Sequence, residues 1–147
     1  MDTTSNALSR ILHLLTLHPD VQEKMRTEIL EASQGQDIPY DQLVELPYLD
    51  AVCRETLRLY SPVSFASRET RKDVVLPFSE PIEGLDGTMM NEVVVPKNTL
   101  VFVAIRSCNR NKAIWGDDAE QWKPERWLSP MPSAVKEASV PGVYANL

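Results

Sequence analysis

Pro47-Tyr48-Leu49-Asp50-Ala51-Val52-Cys53-Arg54-Glu55-Thr56-Leu57-Arg58-Leu59-Tyr60-Ser61-Pro62 carries both ends of a helix in one short stretch. Pro47 suits the first helical position, where its missing N–H would have had no intrahelical partner. Pro62 closes the stretch, because the residue before a proline is driven out of the α region. Leu49, Val52, Cys53 and Thr56 follow i, i+3, i+4, i+7 spacing and predict one apolar face. Glu55 and Arg58, three apart, meet on one helix surface. Two readings of that pair are open from these residues. One is a surface ion pair worth about 0.2–0.5 kcal/mol. The other is a buried bidentate pair that recruits a third charged group, since a desolvated pair needs further hydrogen bonds to offset its desolvation. Arg126, in Pro124-Glu125-Arg126-Trp127, offers that group, with five donors in a rigid fork.

Upstream of this helix, residues 2–17 predict an amphipathic helix with Leu8, Ile11, Leu12 and Leu15 as its stripe. Asp2, Thr3 or Thr4 could cap it. His18-Pro19 breaks it, and Pro19 opens a second helix with Val21, Met25 and Ile29 at i, i+4, i+8. Glu23, Lys24, Arg26 and Glu31 mark its solvated face. Residues 33–39 read as a loop, and Tyr40 to Leu46 as a short helical turn.

Downstream of Pro62 the character changes. Residues 63–70 read as extended and 73–76 as a short strand. Residues 79–91 read as a loop with a possible hairpin turn. Residues 92–96 and 99–104 read as strands around a Pro-Lys-Asn turn, although 99–105 could instead be a buried helical segment. Residues 109–127 are irregular and rich in tryptophan, and 129–147 predict coil. Helices first and strands later give an α+β class, mainly helical, in a single domain spanning 1–147.

Composition narrows the function. The chain has 147 residues, 43% of them hydrophobic, with a formal net charge of −6. An acidic chain without a basic stripe argues against nucleic acid as a partner. No apolar run reaches about 18 residues, so no membrane segment is expected. No basic stretch precedes an apolar one at the start, so no signal peptide is expected. Cys53 and Cys108, its two cysteines, have neither disulfide-framework nor zinc spacing and read as small apolar fillers. No nucleophile elbow or Ser-His-Asp set is visible, which excludes a hydrolase reading.

Glu55-Thr56-Leu57-Arg58, then Arg68, then Trp115-Gly116 and Pro124-Glu125-Arg126-Trp127 resemble, in order and spacing, the cytochrome P-450 family of heme-thiolate monooxygenases. The opening Asp2-Thr3-Thr4-Ser5 resembles the end of that family's acid–alcohol motif on its long central helix. The resemblance covers residues 2 to about 128 and implies a partial cytochrome P-450 fold. It implies that Glu55, Arg58 and Arg126 form a structural triad locking the helix to the meander before the heme loop. It implies that Asp2 and Thr3 are the catalytic acid and hydroxyl that steer protons to bound oxygen. It implies that Arg68 pairs with a heme propionate, an apt match of guanidinium and carboxylate. Val63 to Ser67 would line the substrate side, and Asn109-Arg110-Asn111 the turn before the meander, with Cys108 where a histidine is frequent. Without the resemblance, Asp2 and Thr3 are a plain N-cap, Arg68 a strand residue pairing with Glu69 or Asp73, and the tryptophans core.

The family holds its iron through a cysteine thiolate in a glycine-rich loop. Neither Cys53 nor Cys108 has glycines around it, and His13 and His18 are not placed as ligands, so no metal ligand is expected here. The chain is therefore expected to be an internal fragment that alone neither binds heme stably nor oxidises anything. The resemblance implies that the parent inserts one oxygen atom from O2 into a small organic substrate, with heme as cofactor and electrons from NADPH through a reductase. It also implies that the parent is anchored at the endoplasmic reticulum membrane. The alternative reading is a non-catalytic helical interaction module.

Overall fold

The computed structural model describes residues 2–138. Helices α1 (Asp2–Leu17), α2 (Pro19–Ser33), α3 (Tyr40–Leu43) and α4 (Pro47–Leu59) precede four strands: β1 (Ala66–Glu69), β2 (Val74–Glu83), β3 (Met89–Val95) and β4 (Leu100–Val103). Short helices α5 (Ile105–Cys108) and α6 (Lys112–Trp115), a 3-10 turn at Pro124–Leu128 and helix α7 (Ser133–Glu137) follow. The class is α+β and mainly helical, with small antiparallel sheets. Where the sequence suggests one domain over 1–147, residues group into two compact units: one runs to Ser64 and resumes at Ile105, the other is Phe65–Ala104.

The helical unit has two apolar cores. Leu15, Val21, Tyr48 and Val52 form one, with Ile11, Met25 and Trp122 against it. Trp115, Ala119 and Val135 form the other, joined by Ile114, Trp127 and Met131. In α1 the expected stripe is only half right. Leu14 and Leu15 are buried, while Leu8 and Leu12 are exposed. The helix docks through the edge of its apolar arc rather than its centre. Residues 129–147 were expected to be coil, but Ser133–Glu137 is a helix, because Val135 has a core to enter beside Trp115. Residues 139–147 lie outside the described residues.

The strand unit holds two two-stranded antiparallel sheets. β1 pairs with β4, placing Arg68 opposite Val101, and β2 pairs with β3, placing Val75 opposite Val94. The expected loop at 79–91 is mostly strand, because β2 runs through Pro77 and Pro81 to Glu83. Prolines cannot donate to a ladder, so they sit at edges or irregularities. The pairing register here breaks between Pro77 and Ile82. The turn is closed by Asp86, whose carboxylate accepts from the Thr88 N–H (3.0 Å) and hydroxyl (2.6 Å), with Gly87 at φ 78°. The strands flanking Pro96-Lys97-Asn98 pair with other strands rather than with each other. Asn98 takes φ 62°, a region its short polar side chain tolerates. The helical alternative for 99–105 is excluded, since β4 spans Leu100–Val103.

Candidate functional site

The site grows from α4. Its buried residues are Tyr48, Ala51, Val52, Glu55, Thr56, Arg58 and Leu59, so the inward face is turned by about one residue (~100°) from the face expected from Leu49 and Cys53. That rotation carries Glu55 and Arg58 inside, to 0% and 1% exposure. The pair is bidentate: Arg58 Nε donates to Glu55 Oε2 and Nη2 to Oε1, both at 2.8 Å.

Neither charge stops at its partner. Arg58 Nη1 donates to the carbonyls of Asn109 and Ala119, each at 2.6 Å, and Nη2 to that of Gln121 at 3.2 Å. Glu55 also accepts from the Lys123 N–H and the Trp127 indole, each at 3.0 Å, and from Arg126 Nε at 3.4 Å. The Arg58 guanidinium lies 4.9 Å from the Trp115 ring centroid. Pro124 opens the 3-10 turn that presents Arg126 and Trp127 to the helix.

Arg126 brings in a fourth charge that sequence reading missed. Its Nη1 donates to Asp118 Oδ1 at 2.7 Å and its Nη2 to the Asp118 carbonyl at 2.9 Å. The hydrogen bond from Arg126 holds the Asp118 carboxyl below the usual carboxylate range. Two carboxylates and two guanidiniums thus make a neutral quartet. Among the described residues no buried side-chain nitrogen or oxygen lacks a hydrogen-bond partner. Such satisfaction is the condition under which buried charge is tolerated.

A second polar link surrounds the same turn. Glu125 accepts from Lys24 Nζ on α2 at 2.7 Å and from the Tyr48 hydroxyl on α4 at 3.0 Å. Burial raises the Glu125 carboxyl, but hydrogen bonds led by that from Lys24 outweigh it and leave a net lowering. Burial first, then Glu125, push the Tyr48 phenol above its ordinary range. Glu28 of α2 accepts from the N–H groups of Tyr48 (2.7 Å) and Leu49 (2.9 Å), capping α4. Asp118 falls in the stretch 109–127 read as irregular, and Glu28 falls outside the residues named for the solvated face of α2.

The other expected site residues lie apart from the quartet's hydrogen bonds. Asp2 and Thr3 are exposed in the first turn of α1. Arg68 is exposed on β1 of the strand unit, where its Nη1 donates to the Ser67 carbonyl at 2.8 Å. Cys53 is half-buried, and burial, then Asp50, push its thiol up, which disfavours the thiolate a metal ligand needs. Among the described residues no group of three or more His, Cys, Asp or Glu side chains is placed to hold a metal. Among the same residues, no helix is long and apolar enough to cross a membrane.

With this geometry in view, comparison with known proteins is informative. A family model for cytochrome P450 matches residues 1–141. The chain belongs to the cytochrome P450 family. A ganoderic acid synthetase of Ganoderma lucidum is 62% identical over all of the chain, and a cytochrome P450 monooxygenase of Postia placenta is 61% identical over the same extent. The chain spans 28% and 27% of the length of these two relatives. A crystallised cytochrome P450 superposes with a TM-score of 0.68 at 31% identity, over 84% of this chain and 26% of that one. The fold is thus a partial cytochrome P450 fold, and the Postia placenta relative is named as a monooxygenase.

Proposed function

We propose that this chain supplies the clamp segment of a heme-dependent monooxygenase that inserts one oxygen atom from O2 into a small organic substrate. The observation that carries the reading is the buried quartet. Glu55, Arg58, Arg126 and Asp118 tie α4 to the irregular stretch 109–127, which has little regular backbone pairing of its own. When bound, heme would supply oxygen activation through a thiolate-held iron. Electrons would arrive from NADPH through a reductase. Arg68 would donate its fork to a heme propionate, and Asp2 with Thr3 would hold the proton and hydroxyl beside bound oxygen. In this role the chain acts with heme ligands from outside the residues described, and alone it does not form the thiolate-bound heme.

The test is a segment exchange. This chain replaces the matching segment of the Postia placenta relative, and the chimera is reduced and treated with carbon monoxide. The expected result is a thiolate-type Soret shift in the chimera and none in the chain alone. A chimera that folds, by circular dichroism, but takes up no heme overturns the proposal. So does a thiolate-type shift from the chain alone.

A second reading, a non-catalytic helical interaction module, is favoured by the exposed leucines of α1, with Leu8 at 56% and Leu12 at 64%. Residues four apart share one helix side, so these form a contiguous apolar strip. Monomeric light scattering without binding of a hydrophobic dye counts against it.

A further inference from the structure

Beside the C-terminal end of α4, the helical unit has a cavity of about 300 Å3 that opens broadly to solvent, with Arg10 and Arg106 exposed at its rim. Asn6 and Arg10 of α1, Tyr60, Ser61 and Ser64 after α4, and Arg106 of α5 line it. The chain carries six more negative than positive charges, yet no acid is among these residues. On α1 the nearest acid is Asp2, four positions before Asn6 and eight before Arg10, so about 6 and 12 Å away along the axis.

The positive charges here are not already spent. Arg10 stacks on the Tyr60 ring at 4.2 Å, and Arg110 approaches the same ring at 5.6 Å. Arg110 is committed: its Nε and Nη2 donate to the Leu59 carbonyl at 3.2 and 2.7 Å, completing the end of α4. Arg10 and Arg106 form no ion pair among the described residues. Ser61 is committed to the Val63 carbonyl at 2.8 Å, which leaves the Ser64 hydroxyl and the Asn6 amide as further donors. The Tyr60 ring and Pro62 give one side of the cavity an apolar wall.

We propose that this cavity binds a small carboxylic acid. A planar carboxylate fits the fork of a guanidinium, and the cavity lies at the small end of ligand-pocket sizes, suited to one ring or a short chain. Arginine at Arg10, Arg106 and Arg110 repels amines and favours anions. The Tyr60 and Pro62 wall receives the hydrocarbon part of the acid. This site does not rest on the monooxygenase reading, since every residue in it belongs to the helical unit described here.

The test uses the full 147-residue chain. An arginine-directed dicarbonyl reagent is applied with saturating benzoate, with its neutral counterpart benzamide, or with inorganic phosphate, and each arginine is followed by mass spectrometry. Benzoate is expected to slow modification of Arg10 and Arg106 about tenfold, as loss of a charge-assisted contact implies. Benzamide and phosphate leave both rates unchanged, and exposed Arg71 reacts alike throughout. Arg106→Gln, with its helical circular dichroism unchanged, removes the protection at Arg10. Absent protection, equal protection by benzamide, or protection of Arg71 overturns the site. Equal protection by phosphate overturns the carboxylate assignment. If buried Arg58 reacts as fast as Arg71, the fold that builds the cavity is absent and the proposal falls with it.

Discussion

In the helical unit, Glu55 and Arg58 are withdrawn from water to 0% and 1% exposure, while in the strand unit Val75, Met89 and Val94 leave half or more of their surface in it. The usual sorting of side chains is inverted in both places, and for different reasons. Around α4 every described buried side-chain nitrogen and oxygen finds a partner, so charge can be enclosed. Each sheet of the strand unit has only two strands, and such a ribbon has no layer to cover both faces. Its apolar side chains, consecutive in Val74-Val75-Leu76 and Val93-Val94-Val95, therefore stay largely outside on both faces. Burial in this chain follows the availability of a covering layer and of partners, not the polarity of the residue alone.

The sharpest way to break this contrast is Glu55→Ala. It leaves Arg58 enclosed without a counter-charge and is expected to cost about 3–5 kcal/mol, read as a lowered urea midpoint at the helical circular dichroism band. A cost below about 1 kcal/mol would mean the quartet is solvated. The double replacement Glu55→Leu with Arg58→Met asks whether the charges themselves matter. A simple buried pair often tolerates such an exchange. Here the carbonyls of Asn109, Ala119 and Gln121 lose their donor, so about 2–4 kcal/mol of destabilisation is expected to persist in the same assay.

Arg126→Lys keeps the charge but loses the fork that spans Glu55, Asp118 and the Trp115 carbonyl. About 1–3 kcal/mol is expected, by urea denaturation. Acid probes the same turn more gently. Asp118 and Glu125 both have folded carboxyls below their ordinary values of 3.8 and 4.5. Their stabilisation is full above those values and is lost as pH falls through the folded ones. The urea midpoint of the wild-type chain should thus drop as pH is taken below 4.5, and Asp118→Asn should flatten that drop. On the strand side, Leu85→Ser at the tip of the β2–β3 turn should change stability by less than about 0.5 kcal/mol, because Leu85 is fully exposed.

Much of α4 was legible because its punctuation is local. Pro47 and Pro62 act on their own neighbours, so both ends could be read from sequence. Its inward face was not, because the spacing rule counts hydrocarbon and α4 buries a carboxylate and a guanidinium. The Glu55–Arg58–Arg126 grouping was open from residue chemistry and favoured by the family resemblance; pairwise spacing fitted an ordinary surface pair as well. Asp118 and Glu28 escaped notice because their partners lie on other elements, and no local pattern marks such contacts. β2 was truncated in the reading because Pro81, Gly84 and Gly87 signal loop, whereas a ribbon with two free edges accommodates Pro81 within a strand.

Glu28 has a consequence for the order of assembly. Helices commonly satisfy their first N–H groups with a side chain just before the first turn, and Leu46 at that position of α4 makes no such bond. The carboxylate that serves instead comes from twenty positions upstream for Tyr48 and twenty-one for Leu49. The helix that holds the quartet therefore cannot complete its own beginning until α2 has formed and come alongside. The start of the helix that anchors the enclosed charges thus depends on a neighbouring helix, not on its own flanking residues.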